Sequence, residues 1–346
     1  MIRMSKRIAF FNHKGGVSKT TSVYNLGWML AKDSRVLLVD SDPQCNLSSL
    51  ILGEDFERYY LEDHTREQNL KDGVRAAFEG KPSPIQPVTC ATPNQAPNLY
   101  LLAGHANLSE YDAALTFAQT SNNAITTLQN LPGAFSELVR LTEERYGIDY
   151  TLIDMNPSLS AINQNFFITS HSFIVPTNPD PFSLMAIGTL QNVLPRWANW
   201  AQTMAPIFAD SAYPLPAHRP KFLGSLIQRF NIRRGRAAKP YRDNINEIKE
   251  ATKRSFAPAL EGAGMLLTVP QYTEAGVDDG FCLEEISDFQ GLLPKSYDAG
   301  VPVFELTNAQ IGETGPVLEQ MAGKRDLFGT VFTDLALKVR ALLQHA

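Results

Sequence analysis

Two lysines, two glycines and two threonines lie close together near the start of the chain, as Lys14, Gly15, Gly16, Lys19, Thr20 and Thr21. Paired glycines let the backbone approach an anion, and successive N–H groups at a helix N-terminus bind it. A lysine at the end of such a loop supplies positive charge, and the next hydroxyl can ligate Mg²⁺. Residues 12–19 therefore predict a phosphate-binding loop.

Three acidic residues follow apolar runs elsewhere in the chain. Asp40 and Asp42 come after residues 36–39, and Asp154 ends the run of residues 150–154. The carboxyl ends of parallel strands share the ligand-binding edge of an α/β sheet, so we expect these carboxylates beside the loop. Asp154 then has the position of an acid that holds Mg²⁺. Caps of a helix beginning near Asn46 are the alternative for Asp40 and Asp42.

The loop lies between a predicted strand at residues 7–11 and a helix that begins at Thr20. Further strands are predicted at residues 36–39, 99–102, 150–154, 172–176, 222–227 and 265–270, with helices between them. This alternation predicts an α/β fold with a doubly wound, mainly parallel sheet and helices on both faces. We expect one domain over residues 1–346, with insertions near 53–97, 198–220 and 272–293.

The composition of the 346 residues is that of an ordinary globular protein, with 44% hydrophobic and 19% charged residues. A net charge of −5 gives no global attraction to nucleic acid or an anionic membrane, so such binding needs a local patch. The three cysteines form no CxxC pair, which argues against structural zinc and fits a reducing cytoplasm. No apolar run is long enough to predict a transmembrane segment, and we expect no cleaved signal peptide.

The loop resembles the deviant Walker A sequence, KGGxxK[ST]T, of the ParA/MinD family of ATPases, a SIMIBI-class P-loop NTPase family. Ser18 stands in the last glycine position. Residues 40–46 look like the DxDPQGN segment of ParA proteins, with Cys45 in the glycine position. Residues 154–158 stand where these proteins carry DxPPS, with Asn156 replacing the first proline. The resemblance covers most of the chain and is closest to ParA/Soj-type partition ATPases.

This resemblance implies an ATPase that uses ATP and Mg²⁺ and forms an ATP-sandwich homodimer. It gives catalytic roles to Lys19, to Asp42, which would orient the attacking water, and to Lys14, which would reach the partner's phosphates; a solvated Lys14 on the loop rim is the alternative. It places the metal at Thr20, Asp40 and Asp154. The nucleotide-binding residues it implies are Lys14, Gly15, Gly16, Val17, Ser18, Lys19, Thr20, Thr21, Gln228 and Pro270.

A basic segment follows the predicted strand 222–227. It consists of Arg229, Arg233, Arg234, Arg236, Lys239 and Arg242, with no acidic residue before Asp243. Clustered arginine and lysine form a phosphate-seeking patch even on an acidic protein. Family resemblance implies nonspecific double-stranded DNA as its ligand and a nucleoid-associated protein. A solvated face, or a site for nucleotide or a partner, is the alternative.

The expected function is thus DNA partition or cargo positioning, reset by slow, partner-stimulated ATP hydrolysis and directed by a ParB-like or other adaptor. A MinD-like ATPase would instead bind membranes through a terminal amphipathic helix. The apolar stripe of residues 330–346 could form one, although core packing is the better interpretation because few residues there are basic. An ATP-dependent ligase or a metallocluster enzyme of the same superfamily is the third alternative.

Overall fold

The main sheet has seven strands in the order β3-β2-β4-β1-β5-β6-β9 in the computed structural model, which describes residues 5–120, 128–216, 218–233 and 236–346. All neighbouring strands of this sheet are parallel. The strands are β1 (Lys6–Phe10), β2 (Val36–Asp40), β3 (Leu99–Leu102), β4 (Tyr150–Asp154), β5 (Ser172–Thr177), β6 (Lys221–Phe230) and β9 (Cys282–Ser287). A separate antiparallel hairpin joins β7 (Ile232–Arg233) to β8 (Arg236–Ala237).

Helices connect these strands in chain order. The first eight are α1 (Lys19–Leu30), α2 (Asn46–Leu52), α3 (Phe56–Leu61), α4 (Leu70–Gly73), α5 (Arg75–Phe78), α6 (Asp112–Thr120), α7 (Leu131–Tyr146) and α8 (Ala161–Ile168). The others are α9 (Pro181–Met204), α10 (Lys239–Ala251), α11 (Ala257–Gly262), α12 (Val269–Glu274), α13 (Leu292–Ala299), α14 (Asn308–Ile311) and α15 (Gly315–Leu343). One group packs α1 on α15, and another packs α6, α7, α8 and α9 in succession. The expected doubly wound α/β fold is confirmed.

The core lies in the sheet and in the helix faces that cover it. Every residue of β2 is buried, as a strand in the middle of a parallel sheet requires when helices cover both of its faces. Phe10, Phe173 and Phe222 are buried on β1, β5 and β6. The sheet is therefore a firm platform whose carboxyl edge can hold polar loops in fixed positions.

One expectation for the C-terminal half is wrong, and one segment there contains more regular structure than its sequence indicates. Residues 265–270 form no strand, because Met265 and Leu267 are buried in a connecting segment and α12 begins at Val269. The last strand of the sheet is β9, which lies inside the supposed insertion at 272–293. Its position at the sheet edge lets Glu284 and Glu285 stay partly exposed, so the run lacks the continuous apolar pattern of a central strand.

The supposed insertion at 198–220 also begins inside a regular element. Helix α9 continues to Met204, and Ala198 and Ala201 are completely buried on it. Phe208 and Leu215 beyond the helix are buried as well. Several prolines hide the helical period in this stretch, so the sequence pattern is a poor guide to its packing.

The terminal helix α15 packs its apolar stripe into the protein. Phe332, Leu335, Val339 and Leu342 are buried, and α15 contacts α1, β6 and β9. The structure thus confirms core packing, which was the better interpretation of this stripe from the sequence. Among the residues that the structure describes, no helix is long and apolar enough to cross a membrane.

Candidate functional site

The phosphate loop connects β1 to α1 at the carboxyl edge of the sheet. Ser18 precedes the helix in the left-handed conformation, with φ of 59°, where the family pattern has glycine. Asn12 fixes the start of the loop, because its Nδ2 donates to the Pro176 carbonyl at 2.8 Å and its Oδ1 accepts the Lys14 N–H at 3.0 Å. Ser18 therefore holds, with backbone strain, a conformation that glycine adopts freely.

Lys19 lies under this loop with only 7% of its surface exposed. Its Nζ donates to the carbonyls of Asn12 at 3.1 Å and Lys14 at 3.3 Å. Burial lowers the pKa of Lys19, and the carboxylates of Asp154 and Asp42 oppose that shift. The ammonium group is thus held at the loop by weak neutral acceptors, which an anion could outcompete.

Asp40 and Asp154 end neighbouring strands and stand opposite each other in the register of β2 and β4. Neither oxygen of the buried Asp154 carboxylate accepts a well-formed hydrogen bond from a described residue. Burial, and next the charge of Asp40, raise the pKa of Asp154 to about 8, while the nearby Thr20 hydroxyl opposes the shift. A buried carboxylate without donors is costly unless a cation compensates it, so these residues fit a magnesium ion.

Asp40 is better supplied with hydrogen bonds than Asp154. Its Oδ2 accepts from the Ser48 N–H at 2.8 Å and the Ser48 hydroxyl at 2.7 Å, and its Oδ1 accepts from the Asp42 N–H at 3.2 Å. Burial raises the pKa of Asp40 to about 6 against these donors. Asp40 therefore fastens α2 and the 41–46 loop to the sheet, which makes it a support for a metal site more than a direct ligand.

Asp42 is half-buried and lines the same cleft as the loop. Its Oδ1 accepts the Gln44 N–H at 2.9 Å, and its carbonyl accepts the Cys45 N–H at 2.9 Å. Cys45 begins α2 with φ of 52°, again where the family pattern has glycine. Asp42 is the carboxylate of this group that combines access to the cleft with a fixed backbone.

Lys14 makes an ion pair within its own chain. Its Nζ donates to the Asp180 carboxylate and, at 3.2 Å, to the Ser183 hydroxyl. Asp180 also caps α9 by accepting the Ser183 N–H at 2.8 Å through its other oxygen. Burial favours the neutral form of Asp180, but the hydrogen bonds from Lys14 and Ser183 outweigh it and lower the pKa.

A cleft of about 620 Å³ runs along the sheet edge from the phosphate loop. The expected nucleotide-binding residues that line it are Gly16, Val17, Ser18, Lys19, Thr20, Thr21 and Gln228. Gln228 is fixed by the Val17 carbonyl at 3.3 Å and the Ser22 hydroxyl at 2.8 Å. The far wall contains Arg229, Ser287, Asp288, Phe289, Leu293 and Tyr297.

The structure does not bring Pro270 to this cleft. Pro270 is exposed in the first turn of α12, whereas the wall next to β6 comes from the end of β9 and from α13. The expectation for Pro270 is therefore wrong, because it depended on a strand at 265–270. Lys14 and Gly15 lie beside the cleft, and Gly15 faces Pro157 of the 154–158 segment.

The residues of the basic segment do not form one group. Arg229 is the last residue but one of β6, and its Nη1 donates to the Gly16 carbonyl at 3.3 Å, so it belongs to the nucleotide cleft. Lys239 and Arg242 are exposed at the start of α10. Arg233 and Arg236 lie on the strands of the hairpin, and Arg234 is outside the described residues.

Sequence reasoning missed several polar residues that organise the site. Asn178 donates to the Gly16 carbonyl at 3.0 Å. The Ser48 hydroxyl donates to Asp40 and accepts the Gly104 N–H at 2.9 Å. Asn12 and Asp288 also went unnoticed. For Asn12 and Asn178 the position after a predicted strand was the available signal, whereas Asp288 follows β9, a strand that the sequence did not predict.

The AAA_31 family model, described as an AAA domain, matches residues 5–202. The chromosome partitioning protein ParA of Caulobacter vibrioides is 30% identical over 191 residues, covering 55% of this chain and 62% of that protein. The chromosome-partitioning ATPase Soj of Thermus thermophilus is 31% identical over 188 residues, covering 54% and 59%. The chain thus spans about three fifths of the length of these two relatives.

A solved structure, apo McdA from Cyanothece, shares the fold with a TM-score of 0.57 at 17% identity, over 93% of this chain and 98% of that one. The matched segment 5–202 contains the phosphate loop, Asp40, Asp42 and Asp154, the residues that the geometry brings together. The chain therefore belongs to the AAA_31 family of AAA domains and is of the ParA/MinD type that its loop residues indicate.

Proposed function

We propose that this protein is a ParA-like ATPase that binds Mg·ATP in the cleft of about 620 Å³ and acts in DNA partition or cargo positioning. One observation carries the proposal. The buried ammonium group of Lys19 and the buried carboxylate of Asp154, which accepts no well-formed hydrogen bond from a described residue, lie at the same phosphate loop. Gly16 to Thr21 and the N-terminus of α1 would bind the phosphates through backbone N–H groups.

Thr20 and Asp154 would hold Mg²⁺, which neutralises phosphate charge when it is bound, and Asp40 would keep the 41–46 loop in place beside them. Lys19 would leave its carbonyl acceptors for the outer phosphates. Asp42 would orient a water molecule toward the γ-phosphorus, so that the bond to the β-phosphate oxygen breaks and ADP and phosphate leave. Catalysis of this kind is mainly positioning and charge stabilisation.

Dimerisation would come from Lys14. In a sandwich dimer this ammonium group contacts the phosphates of the partner subunit, and for that it must leave Asp180 of its own chain. The surface around it carries exposed apolar side chains, with Phe182 exposed by 68% and Met185 by 70%. An apolar face next to the signature lysine supports a protein contact there. Breaking the ion pair would make dimerisation depend on bound ATP.

Nonspecific DNA binding would use the basic segment without Arg229, namely Arg233, Arg234, Arg236, Lys239 and Arg242. Asn244 of α10 donates to the Pro179 carbonyl at 2.9 Å, which fastens this helix next to Asp180. A movement of Asp180 on dimerisation would therefore also shift α10, which carries Lys239 and Arg242. An adaptor such as a ParB-like protein would stimulate slow hydrolysis and release the DNA.

The test is an electrophoretic shift of random duplex DNA with ATP, with ADP and without nucleotide. We expect binding with ATP alone, weakening steeply with salt because the contacts are to phosphates. Lys14→Ala should keep measurable ATP binding but lose the ATP-dependent dimer in light scattering. Absence of a shift for the wild-type protein at low salt would remove the partition proposal.

A MinD-like role remains the second candidate, since the same loop and dimer serve membrane positioning. The burial of the apolar stripe on α15 makes that helix a poor anchor in this conformation. Liposome binding by the wild-type protein that requires ATP would favour it. A ligase or metallocluster role would appear as nucleotide hydrolysis that requires a small carboxylic acid or a metal cluster.

A further inference from the structure

The segment between β4 and α8 carries a polar residue where the family pattern has proline. Asn156 replaces the first proline of DxPPS, so one fixed φ angle is lost from the 156–158 segment. Pro157 lines the nucleotide cleft, and its ring lies 3.8 Å from where a Cβ on Gly15 would be. The segment is therefore part of the wall beside the phosphate loop, and without a second proline its shape depends on side-chain contacts.

A buried amide group on α8 supplies such contacts. Asn163 is completely buried, and its Nδ2 lies 2.9 Å from the Asn156 carbonyl and 2.8 Å from Asn156 Oδ1. The same nitrogen lies 2.7 Å from the Ser158 carbonyl and 3.3 Å from the Ser158 hydroxyl. The two N–H bonds of this amide thus serve four acceptors, on both sides of Pro157.

The amide group is itself held in place. The N–H of Asn163 donates to the N-cap hydroxyl of Ser160 at 3.2 Å, which fixes the residue in the first turn of α8. A polar side chain in this turn often reaches back to the N-cap backbone. The Asn163 amide instead donates to Asn156 and Ser158, which precede the N-cap. Its bonds therefore restrain the 156–158 segment more than they cap the helix.

We propose that Asn163 is a positioning residue for ATP hydrolysis, because it holds the 156–158 segment against the phosphate loop in place of the missing proline. The inference deepens the proposed function and rests on it. Asp154 is held by its sheet neighbours Phe10 and Asp40, so metal and nucleotide binding should survive a loose segment. A loose segment would instead change the wall beside Gly15, which restricts where the outer phosphate and the attacking water lie.

Two measurements on the same variants test this role. Hydrogen exchange followed by mass spectrometry reports the opening of residues 155–159, and steady-state hydrolysis of Mg·ATP gives kcat and KM. Asn163→Ala should speed exchange there and lower kcat about tenfold, while the dissociation constant of Mg·ATP stays within about twofold. Asn156→Ala removes one acceptor of the amide without altering α8, and should change exchange and kcat in the same direction.

Asn165→Ala is the matched control. Asn165 is equally buried on α8, but its Nδ2 donates to the Pro132 carbonyl of α7 at 2.6 Å. A merely structural role would make Asn163→Ala and Asn165→Ala lose melting temperature and kcat alike. A positioning role should lower kcat in Asn163→Ala alone, at whatever melting temperature the two variants have.

Restoring proline should replace the lost bonds. The Asn156 N–H donates to no described residue, so proline removes no hydrogen bond there. In Asn163→Ala/Asn156→Pro the fixed φ should slow exchange again and recover most of the kcat. An unchanged kcat in Asn163→Ala, an equal loss in Asn165→Ala, or no recovery with proline would each overturn the inference. A wild type that hydrolyses no ATP would refute the proposed function itself, and the positioning role would fall with it.

Discussion

The two ends of the cleft are built in different ways. The phosphate end comes from short, contiguous segments, residues 12–21, 40–46 and 154–158, that follow three strands lying side by side. The far wall of the cleft, where the base of a bound nucleotide would lie, is called the base end here. It comes from β6, the end of β9 and α13, which are far apart in the chain. Backbone N–H groups and a few charges suffice for phosphate, whereas a base needs a shaped wall. Short sequence motifs can therefore specify the phosphate end, whereas the base end depends on segments that only the folded chain brings together.

The difference should also appear in energy. At the phosphate end the partners are charged and largely buried, so each contact is worth more than at the partly exposed base end. A substitution there also leaves a buried group uncompensated. Variants of the phosphate end should therefore lower nucleotide affinity most, and variants of the base end should have smaller effects.

The largest effect is expected for Lys19→Ala. Removing a buried ammonium group that faces the phosphates should weaken ATP binding roughly 100-fold, about 3 kcal/mol. Calorimetry gives the measurement, and Lys253→Ala, at a surface lysine paired with Asp279, is the control. If Tyr297→Ala at the base end cost more than Lys19→Ala, the order of the two ends would be reversed.

The next effect concerns Asp154 and the metal. Wild-type protein should bind ATP at least about tenfold tighter with Mg²⁺ than with EDTA, and Asp154→Asn should lose most of this ratio because a neutral amide is a poorer ligand. Asp63→Asn, at an exposed ion pair, should keep the ratio. If Asp154→Asn kept the full magnesium dependence of ATP binding, the metal site could not be at the end of β4.

Sequence reasoning can predict which residues lie close together where chemistry and chain order coincide. Lys14, Lys19, Asp42 and Asp154 sit in short motifs directly after apolar strands, and the sheet edge then brings them together. It failed for Pro270 because an apolar run of six residues fits a strand, a helix or a buried connection equally well. The true strand β9 carries glutamates at an edge, and only the folded sheet reveals that it lines the cleft.

Asn12, Asn178 and Ser48 escaped prediction for a related reason. Each acts on backbone groups that are distant in sequence, such as the Pro176 carbonyl, the Gly16 carbonyl and the Gly104 N–H. Their residue types are common in turns, so composition alone does not distinguish them. The pairing of Lys14 with Asp180 was equally invisible, since it joins the first loop to the helix after β5.

A smaller effect is expected from that pair. Asp180→Asn keeps an oxygen to cap α9 but removes the charge that retains Lys14, so ATP-dependent dimerisation should strengthen roughly fivefold, about 1 kcal/mol. Analytical ultracentrifugation with ATP measures the constant. The double variant Lys14→Ala/Asp180→Asn should show no gain. Weaker dimerisation in Asp180→Asn alone would mean that the carboxylate serves the dimer directly.

The smallest effect concerns backbone strain at the phosphate end. Ser18 is left-handed and its side chain caps nothing, so Ser18→Gly should relieve backbone strain and raise the free energy of unfolding by about 1 kcal/mol. Ser18→Gly should keep the ATP affinity of the wild type. Thermal melting and calorimetry on the same samples give both quantities, and Ser18→Ala, which retains the strain, should melt with the wild type. If Ser18→Gly weakened ATP binding, a left-handed residue with a side chain at this position would itself be what the nucleotide needs, and the phosphate end would not depend on backbone N–H groups and charges alone.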